Sequence, residues 1–365
     1  MTCTCNREEL LRHLQVAARG LSTRTSIQVL AGIQLAARDG ELHLAATDME
    51  LSVRTRLAAE VEADGVAVVT GKLLLDIVRL LSGETVRLAF TEGMLSVTSG
   101  ESTYQLNAFD ADDFPQLPRP GGDLVSIPGD AFTATVQAVS RAASQDESRP
   151  VLTGVNMRIA SDGLTMVATD SYRLSTRTTP ASVDLPEAIT AVVPARALDE
   201  LVRIVDQAPA TQLALGISEG HALFGIDDTW VTARLIEGQF PNHEALIPKE
   251  FASEARIARA ELLEVVNRTR LLAQRNSPLR LAFADGQLTV SARQQDVGAA
   301  TETMAVEYQG EPLQVGFNAE FLRDGVQSVE EDVVVLRLVS PRDAGLLSGE
   351  DEGFRYLLMP VELRD

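Results

Sequence analysis

The chain has 365 residues, 45% of them hydrophobic and 23% charged, with a formal net charge of −20. That apolar content supports buried cores and the length suits two or three of them, which excludes a disordered chain or one small domain. No apolar run approaches the roughly 18 residues of a membrane helix, and MTCTCNREELLRH lacks a secretory apolar stretch, so a cytoplasmic protein is expected.

In chain order, a helical periodicity over 7–22 is followed by GELHLAATDMELSV (40–53) and by AVVTGKLLLDIV (67–78). A meander, TVRLAFTEGMLSVTSGESTYQLNAF (85–109), completes the set. The set then returns as a helical stretch over 131–145, GLTMVATDSYRLST (163–176), AVVPARALDELV (191–202) and TQLALGISEGHALFGIDDTWVTARLI (211–236). A third version runs through 259–274, GQLTVSARQQDVGA (286–299), QVGFNAEFLRDGV (314–326) and DVVVLRLVSPRDAGLLSGEDEGFRYLLMP (332–360). Val69, Val193 and Phe317 lie 124 residues apart, and Gly40, Gly163 and Gly286 lie 123 apart. Three ordered features at one period indicate an internal triplication.

Within each copy a β-like apolar pair runs into apolar positions at helical spacing, such as Leu198, Leu201 and Val202. The meanders alternate apolar and polar residues between Gly-centred turns, the pattern of antiparallel strands covered on one face. The fold class expected is therefore α+β, with three similar domains of two helices and antiparallel sheets each. Pro, Gly and charge collect at 119–127 and 247–256, which sets domains at 1–122, 123–250 and 251–365.

Signatures of catalysis are missing. The Gly-Lys at 71–72 has Val66 where a phosphate-binding loop needs glycine, and Leu73 where it needs Ser or Thr. There is no Gly-x-Ser-x-Gly elbow and no His-Glu-x-x-His. Cys3 and Cys5 sit together near the start, expected to be ragged, and the four histidines are scattered, so neither a disulfide framework nor a zinc site is expected. Asp48 and Asp170 recur in Ala-Thr-Asp and read as turn or cap residues. No enzyme activity and no cofactor are expected.

Charge is unevenly distributed. The six helix-like segments hold fourteen Lys and Arg against thirteen Asp and Glu, a balance of +1, so the rest of the chain carries −21. An acidic protein that spares its helices fits a surface tolerant of phosphate, bound without sequence preference. Aromatics are 4% of the chain and Trp230 is the sole tryptophan, which disfavours single-strand stacking and favours duplex.

The triplication, ATDSYRL (168–174), GQFPNHEALIP (238–248), GFNAEFL (316–322) and LLMPV (357–361) together resemble the bacterial sliding clamps, the β subunits of DNA polymerase III. FDADDFPQLP (109–118) is similar to a first-domain version of the second-domain FPNHEALIP. The resemblance spans essentially the whole chain. It implies three DNA-clamp domains per protomer and a head-to-tail homodimeric ring of six domains, with helices lining the hole around double-stranded DNA. It also implies partners: the DNA polymerase III catalytic subunit, the clamp loader and other proteins with clamp-binding motifs, with no membrane.

By the same resemblance, Arg24, Lys72, Gln145 and Arg149 are candidate DNA contacts. A peptide groove would use Leu152, Thr169, Ser171, Tyr172, Arg173, Leu174, Pro241, Leu246, Asn318, Phe321, Leu357, Met359, Pro360 and Val361. Its Leu, Met, Val and Pro residues make an adaptable apolar floor, with Arg173, Thr169 and Asn318 as expected anchors for a peptide backbone. The ring interface would pair Tyr104 and Leu106 with Leu271 and Leu272 of another copy. The alternative reading is a triplicated protein-binding scaffold that does not encircle DNA.

Overall fold

The computed structural model describes every residue except 23–25, 119–120, 122–123, 182–184, 186, 208–211, 274–277, 285, 352 and 364–365. The first repeat contains β1 (Thr2–Asn6), α1 (Arg7–Ala17), β2 (Gly32–Arg38), β3 (Glu41–Thr47) and β4 (Leu51–Ala58). It continues with β5 (Glu60–Ala63), β6 (Gly65–Thr70), α2 (Gly71–Leu80), β7 (Thr85–Thr91), β8 (Met94–Ser99) and β9 (Ser102–Phe109). The second runs through β10 (Val125–Pro128), α3 (Gly129–Val139), β11 (Gly154–Ala160), β12 (Gly163–Thr169) and β13 (Arg173–Pro180). Then come β14 (Ile189–Pro194), α4 (Ala195–Gln207), β15 (Gln212–Ser218), β16 (His221–Ile226) and β17 (Thr229–Arg234). The third has β18 (Ser253–Ala258), α5 (Arg259–Thr269), β19 (Leu279–Ala284), β20 (Gln287–Gln294), β21 (Gly298–Ala305) and β22 (Glu307–Gln309). It ends with β23 (Leu313–Phe317), α6 (Ala319–Ser328), β24 (Val333–Leu338), β25 (Gly345–Ser348) and β26 (Phe354–Leu358). The expected two helices and terminal meander are present in every repeat.

Local chemistry explains where helices begin. Asn6 Oδ1 accepts from the amides of Glu8 (2.9 Å) and Glu9 (3.1 Å), and Asn318 Oδ1 accepts from Glu320 (2.9 Å) and Phe321 (3.2 Å). Both are N-caps, with an acidic residue in the first turn to oppose the helix dipole.

The chain divides into two compact units, Met1–Gly129 with Glu200–Leu235, and Asp130–Asp199 with Ile236–Asp365. The middle repeat contributes strands to both. The first unit is one antiparallel sheet in the order β10-β15-β16-β17-β4-β3-β2-β6-β9-β8-β7-β1-β5. Its core includes Leu10 and Leu14 of α1 and Leu74 and Val78 of α2, packed on Ile33, Leu35, Leu42 and Leu44. Cys3 and Cys5 belong to this core. β1 pairs with both β5 and β7, so the start is an ordered strand where a ragged end was expected. Burial pushes the thiols up to about 11 and about 12, which leaves both unreactive at neutral pH.

The second unit holds a nine-stranded sheet, β14-β11-β12-β13-β26-β25-β24-β18-β22, and a four-stranded sheet, β21-β20-β19-β23. Helices α5 and α6 pack on each other. Among the described residues, no helix is long and apolar enough to cross a membrane.

Candidate functional site

The second unit contains all fourteen residues of the expected groove, and several lie at or beside the pairing of β13 with β26. The register places Arg173 opposite Leu358 and Leu174 opposite Leu357, so Leu174 and Leu357 share one sheet face. Both are buried in a cluster with Val167 and Leu346, covered by Phe240, Ile247, Phe251 and Ala344. Leu246, exposed, sits on a short helical turn, Glu244–Leu246, beside this cover.

The loop before β13 is built by two side chains. Thr169 Oγ1 donates to Arg173 O (2.7 Å) and accepts from Ser171 N (3.2 Å). Asp170 Oδ1 accepts from Tyr172 N (2.9 Å) and Arg173 N (3.0 Å). These bonds offset the cost of holding Ser171 at φ +79°, an unfavourable region for a residue with a Cβ. They also turn Tyr172 outward. Asp48 does the same in the first unit, accepting from Glu50 N (3.0 Å) and Leu51 N (2.7 Å), so both aspartates serve turns, as expected.

Arg173 is the hub beneath the loop. Its Nε donates to Asp170 (3.0 Å), and its Nη1 donates to Asp324 (2.6 Å) and to the Tyr356 hydroxyl (3.3 Å). Nη2 donates to the carbonyl of Arg141, and the guanidinium lies 4.3 Å over the Phe321 ring. Burial disfavours the charge, but Tyr356, Asp324 and Asp170 outweigh it and hold the proton more firmly than usual. Tyr356 donates to Phe321 O (2.9 Å), and burial pushes its phenol above the ordinary tyrosine range.

The three expected anchors therefore have internal duties. Arg173 is occupied by Asp170, Asp324 and Tyr356, Thr169 closes its own loop, and Asn318 caps α6. These bonds fix their positions beside the β13–β26 pairing.

The tail completes the rim. Met359 N donates to Tyr172 O (2.9 Å) and Val361 N to Gly316 O (2.8 Å). A Cβ on Gly316 would lie 2.6 Å from Val361 O, so the tail comes this close because residue 316 has no side chain. Tyr172, Leu246, Met359 and Val361 are 62%, 54%, 44% and 36% exposed, large apolar side chains left facing water in one unit. Leu152 and Phe321 are half-buried, and Pro241 and Ser171 are exposed.

Arg149 belongs with this rim. Its Nε pairs with Asp146 (3.0 Å) and its Nη1 donates to Ser171 Oγ (3.1 Å). Lys72 is exposed in the first turn of α2, and Gln145 is exposed after α3. Arg24 lies outside the described residues. Of the interface set, Tyr104 and Leu271 are exposed, Leu272 is half-buried, and Leu106 is a core residue of the first unit.

Sequence reasoning missed Asp324, Tyr356 and Arg141, which organise Arg173, because nothing local announces a partner 151 residues away. It also missed Phe240 and Ile247 as cover, although both lie inside the GQFPNHEALIP motif, where their apolar character was the available signal.

Triplicate α+β repeats joined through antiparallel sheets, with an apolar rim beside the last strand, define a protein of the DNA-clamp class. Family models of the N-terminal, central and C-terminal domains of the DNA polymerase III beta subunit match residues 1–118, 126–242 and 244–362. The beta sliding clamp of Streptomyces coelicolor is 34% identical over 374 residues, covering 100% of both chains. The DNA polymerase sliding clamp of Bacillus subtilis superposes with a TM-score of 0.94 at 26% identity, and that of Pseudomonas aeruginosa bound to griselimycin with 0.92 at 26%, each covering 100% of both chains. The chain belongs to the DNA polymerase III beta subunit family, and its function is that of a DNA sliding clamp.

Proposed function

We propose that two copies of this chain join head to tail into a closed ring around duplex DNA, as a non-catalytic processivity factor acting in the cytoplasm. Each copy contributes three domains, 1–122, 123–250 and 251–365. Six similar domains present similar helices at every angle around a quasi-cylindrical duplex, and helices that carry no excess acid tolerate phosphate without gripping a sequence. Arg24, Lys72, Gln145 and Arg149 are the proposed contacts. The exposed side chains of Tyr104 and Leu271 support an interface between copies, with Leu106 and Leu272 behind them.

The exposed rim of Tyr172, Leu246, Met359 and Val361 over the buried Leu174–Leu357 pair is the observation that carries the partner reading. Short linear peptides of the DNA polymerase III catalytic subunit, the clamp loader and other clamp-binding proteins dock there, burying apolar side chains on an adaptable surface. The test is topological. The protein is loaded onto nicked circular DNA by its loader and the circle is then linearised. A ring runs off the ends; an ordinary DNA binder stays, and a scaffold that never encircled DNA is absent before linearisation.

A further inference from the structure

The first unit repeats the main-chain frame of the groove with different side chains. Thr47 Oγ1 and Asp48 N each donate to Leu51 O (both 3.1 Å), and Arg234 N donates to Glu50 O (2.8 Å). These bonds match those of Thr169 and Asp170 to Arg173 O, and of Met359 to Tyr172 O. With β4 paired to β17 as β13 is to β26, Glu50 takes the place of Tyr172, Ser52 of Leu174, Thr232 of Leu357 and Arg234 of Met359. The apolar side chains at these positions are replaced by polar ones, and Met49, in the place of Ser171, is the large apolar side chain left exposed in the loop.

Farther along the same sheet face is a cleft of about 1050 Å³, whose lining includes Arg38, His43, Arg54, Arg56, Phe114 and Trp230. A Cβ on Gly225 would lie 2.9 Å from the Trp230 ring, so the indole rests on bare backbone and remains partly open as an apolar platform. Arg54 donates to Leu117 O (2.5 Å), tying down the segment that carries Phe114. Arg56 is paired with Asp228 (2.9 Å) and Glu41 (3.4 Å). Arg38 is exposed and, among the described residues, has no carboxylate partner. The walls also carry Asp112, Asp227 and Asp228, which tolerate one incoming carboxylate at Arg38 but repel a polyphosphate backbone.

We propose that this cleft is a second docking site, taking a short linear peptide that sets an acidic side chain on Arg38 and an apolar one against Trp230. Its polar frame selects a different peptide class from the apolar rim of the second unit.

Trp230 is the only tryptophan in the chain, so its emission reports on the cleft directly. The intact protein is titrated with a pool of capped octapeptides holding one fixed Glu among varied positions, and with the same pool holding Gln. The Glu pool is expected to shift Trp230 emission with an apparent Kd about tenfold or more below that of the Gln pool, the effect of one charge-assisted contact. Arg38→Glu and Arg38→Gln, both surface changes, are expected to abolish that preference, while a chain ending at Leu358 retains it. The proposal is overturned if the Glu pool leaves the emission unmoved at millimolar concentration, if both pools act alike, or if the Arg38 variants titrate as the parent does. Loss of the signal in the shortened chain would assign it to the second unit, and a shift with thymidine oligonucleotides alone would assign the cleft to nucleic acid; either also overturns it.

Discussion

Arg173 Nη1 and Asp324 Oδ2 are 2.6 Å apart, although 151 residues separate them in the chain, and their side chains are 9% and 13% exposed. This pair ties the loop of β13 to α6, and Tyr356 on the last strand joins both. Removing one partner from a buried pair leaves a charge poorly answered, which costs more than losing an exposed pair. Asp324→Asn is expected to destabilise the protein by about 2 kcal/mol, the remaining partners of Arg173 limiting the loss. Glu330→Gln, which breaks the solvent-exposed partner of Arg177, should cost less than about 1 kcal/mol. Urea unfolding of the two variants checks the order; equal losses would refute the hub.

Ending the chain after Leu358 removes Met359, Pro360 and Val361 and the backbone bonds to Tyr172 and Gly316. The core face made by Leu174 and Leu357 remains. The shortened protein is expected to lose at least about tenfold in affinity for a polymerase-derived clamp-binding peptide, the worth of one or two buried apolar side chains. Sedimentation should show the same oligomer as the parent. Fluorescence anisotropy with a labelled peptide measures the first effect, and unchanged affinity would remove the tail from the groove.

Much of this was legible in the sequence because repetition supplies its own control. The strand–helix phrase at Val69, Val193 and Phe317 and the helical stretches at 7–22, 131–145 and 259–274 together predicted six helices, and the structure has six α-helices among its described residues. Ala-Thr-Asp announced its turns because Thr and Asp side chains bond backbone two to four residues away, within reach of local reading. Arg173 was named, but not its internal partners. Its partners arrive from α6 and β26, and only tertiary structure brings them together. Leu106, expected near the ring interface by resemblance, is buried in the first unit, because alternation along β9 marks an apolar position without saying which side of the sheet is covered. The fate of Cys3 and Cys5 turned on β1 lying between β5 and β7, a non-local pairing with no sequence signature.

Leu271 is 75% exposed on the short helical turn that follows α5. In the proposed ring this apolar side chain is buried against a second copy. Leu271→Asp is expected to leave the fold intact, since the position is already solvated. It should raise the dimer dissociation constant about tenfold or more, from lost apolar burial and a carboxylate driven into the interface. Sedimentation velocity over a dilution series reads the shift. A variant that dimerises as tightly as the parent would place the interface elsewhere.

His13 gives the protein an acid limit. Burial, and then the neighbouring Arg12 guanidinium, depress its proton affinity to about 4. Arg12 Nη2 lies 2.9 Å from Nε2, so that nitrogen accepts, leaving Nδ1–H to donate to Thr55 Oγ1 at 2.6 Å. A second proton would sit against Arg12. The unfolded chain, with an ordinary imidazole near 6.5, takes up that proton first as pH falls. The unfolded state then binds more protons than the folded one, and stability drops between about pH 6.5 and 4. The neutral imidazole's contribution is complete above pH 6.5 and, from the depressed proton affinity, amounts to about 3 kcal/mol. His13→Asn removes the titrating group, so its unfolding free energy should fall less steeply than the parent's across that interval. Urea denaturation at half-unit steps from pH 7.5 to 4.5 provides the comparison, and parallel curves would show that His13 is not the group responsible.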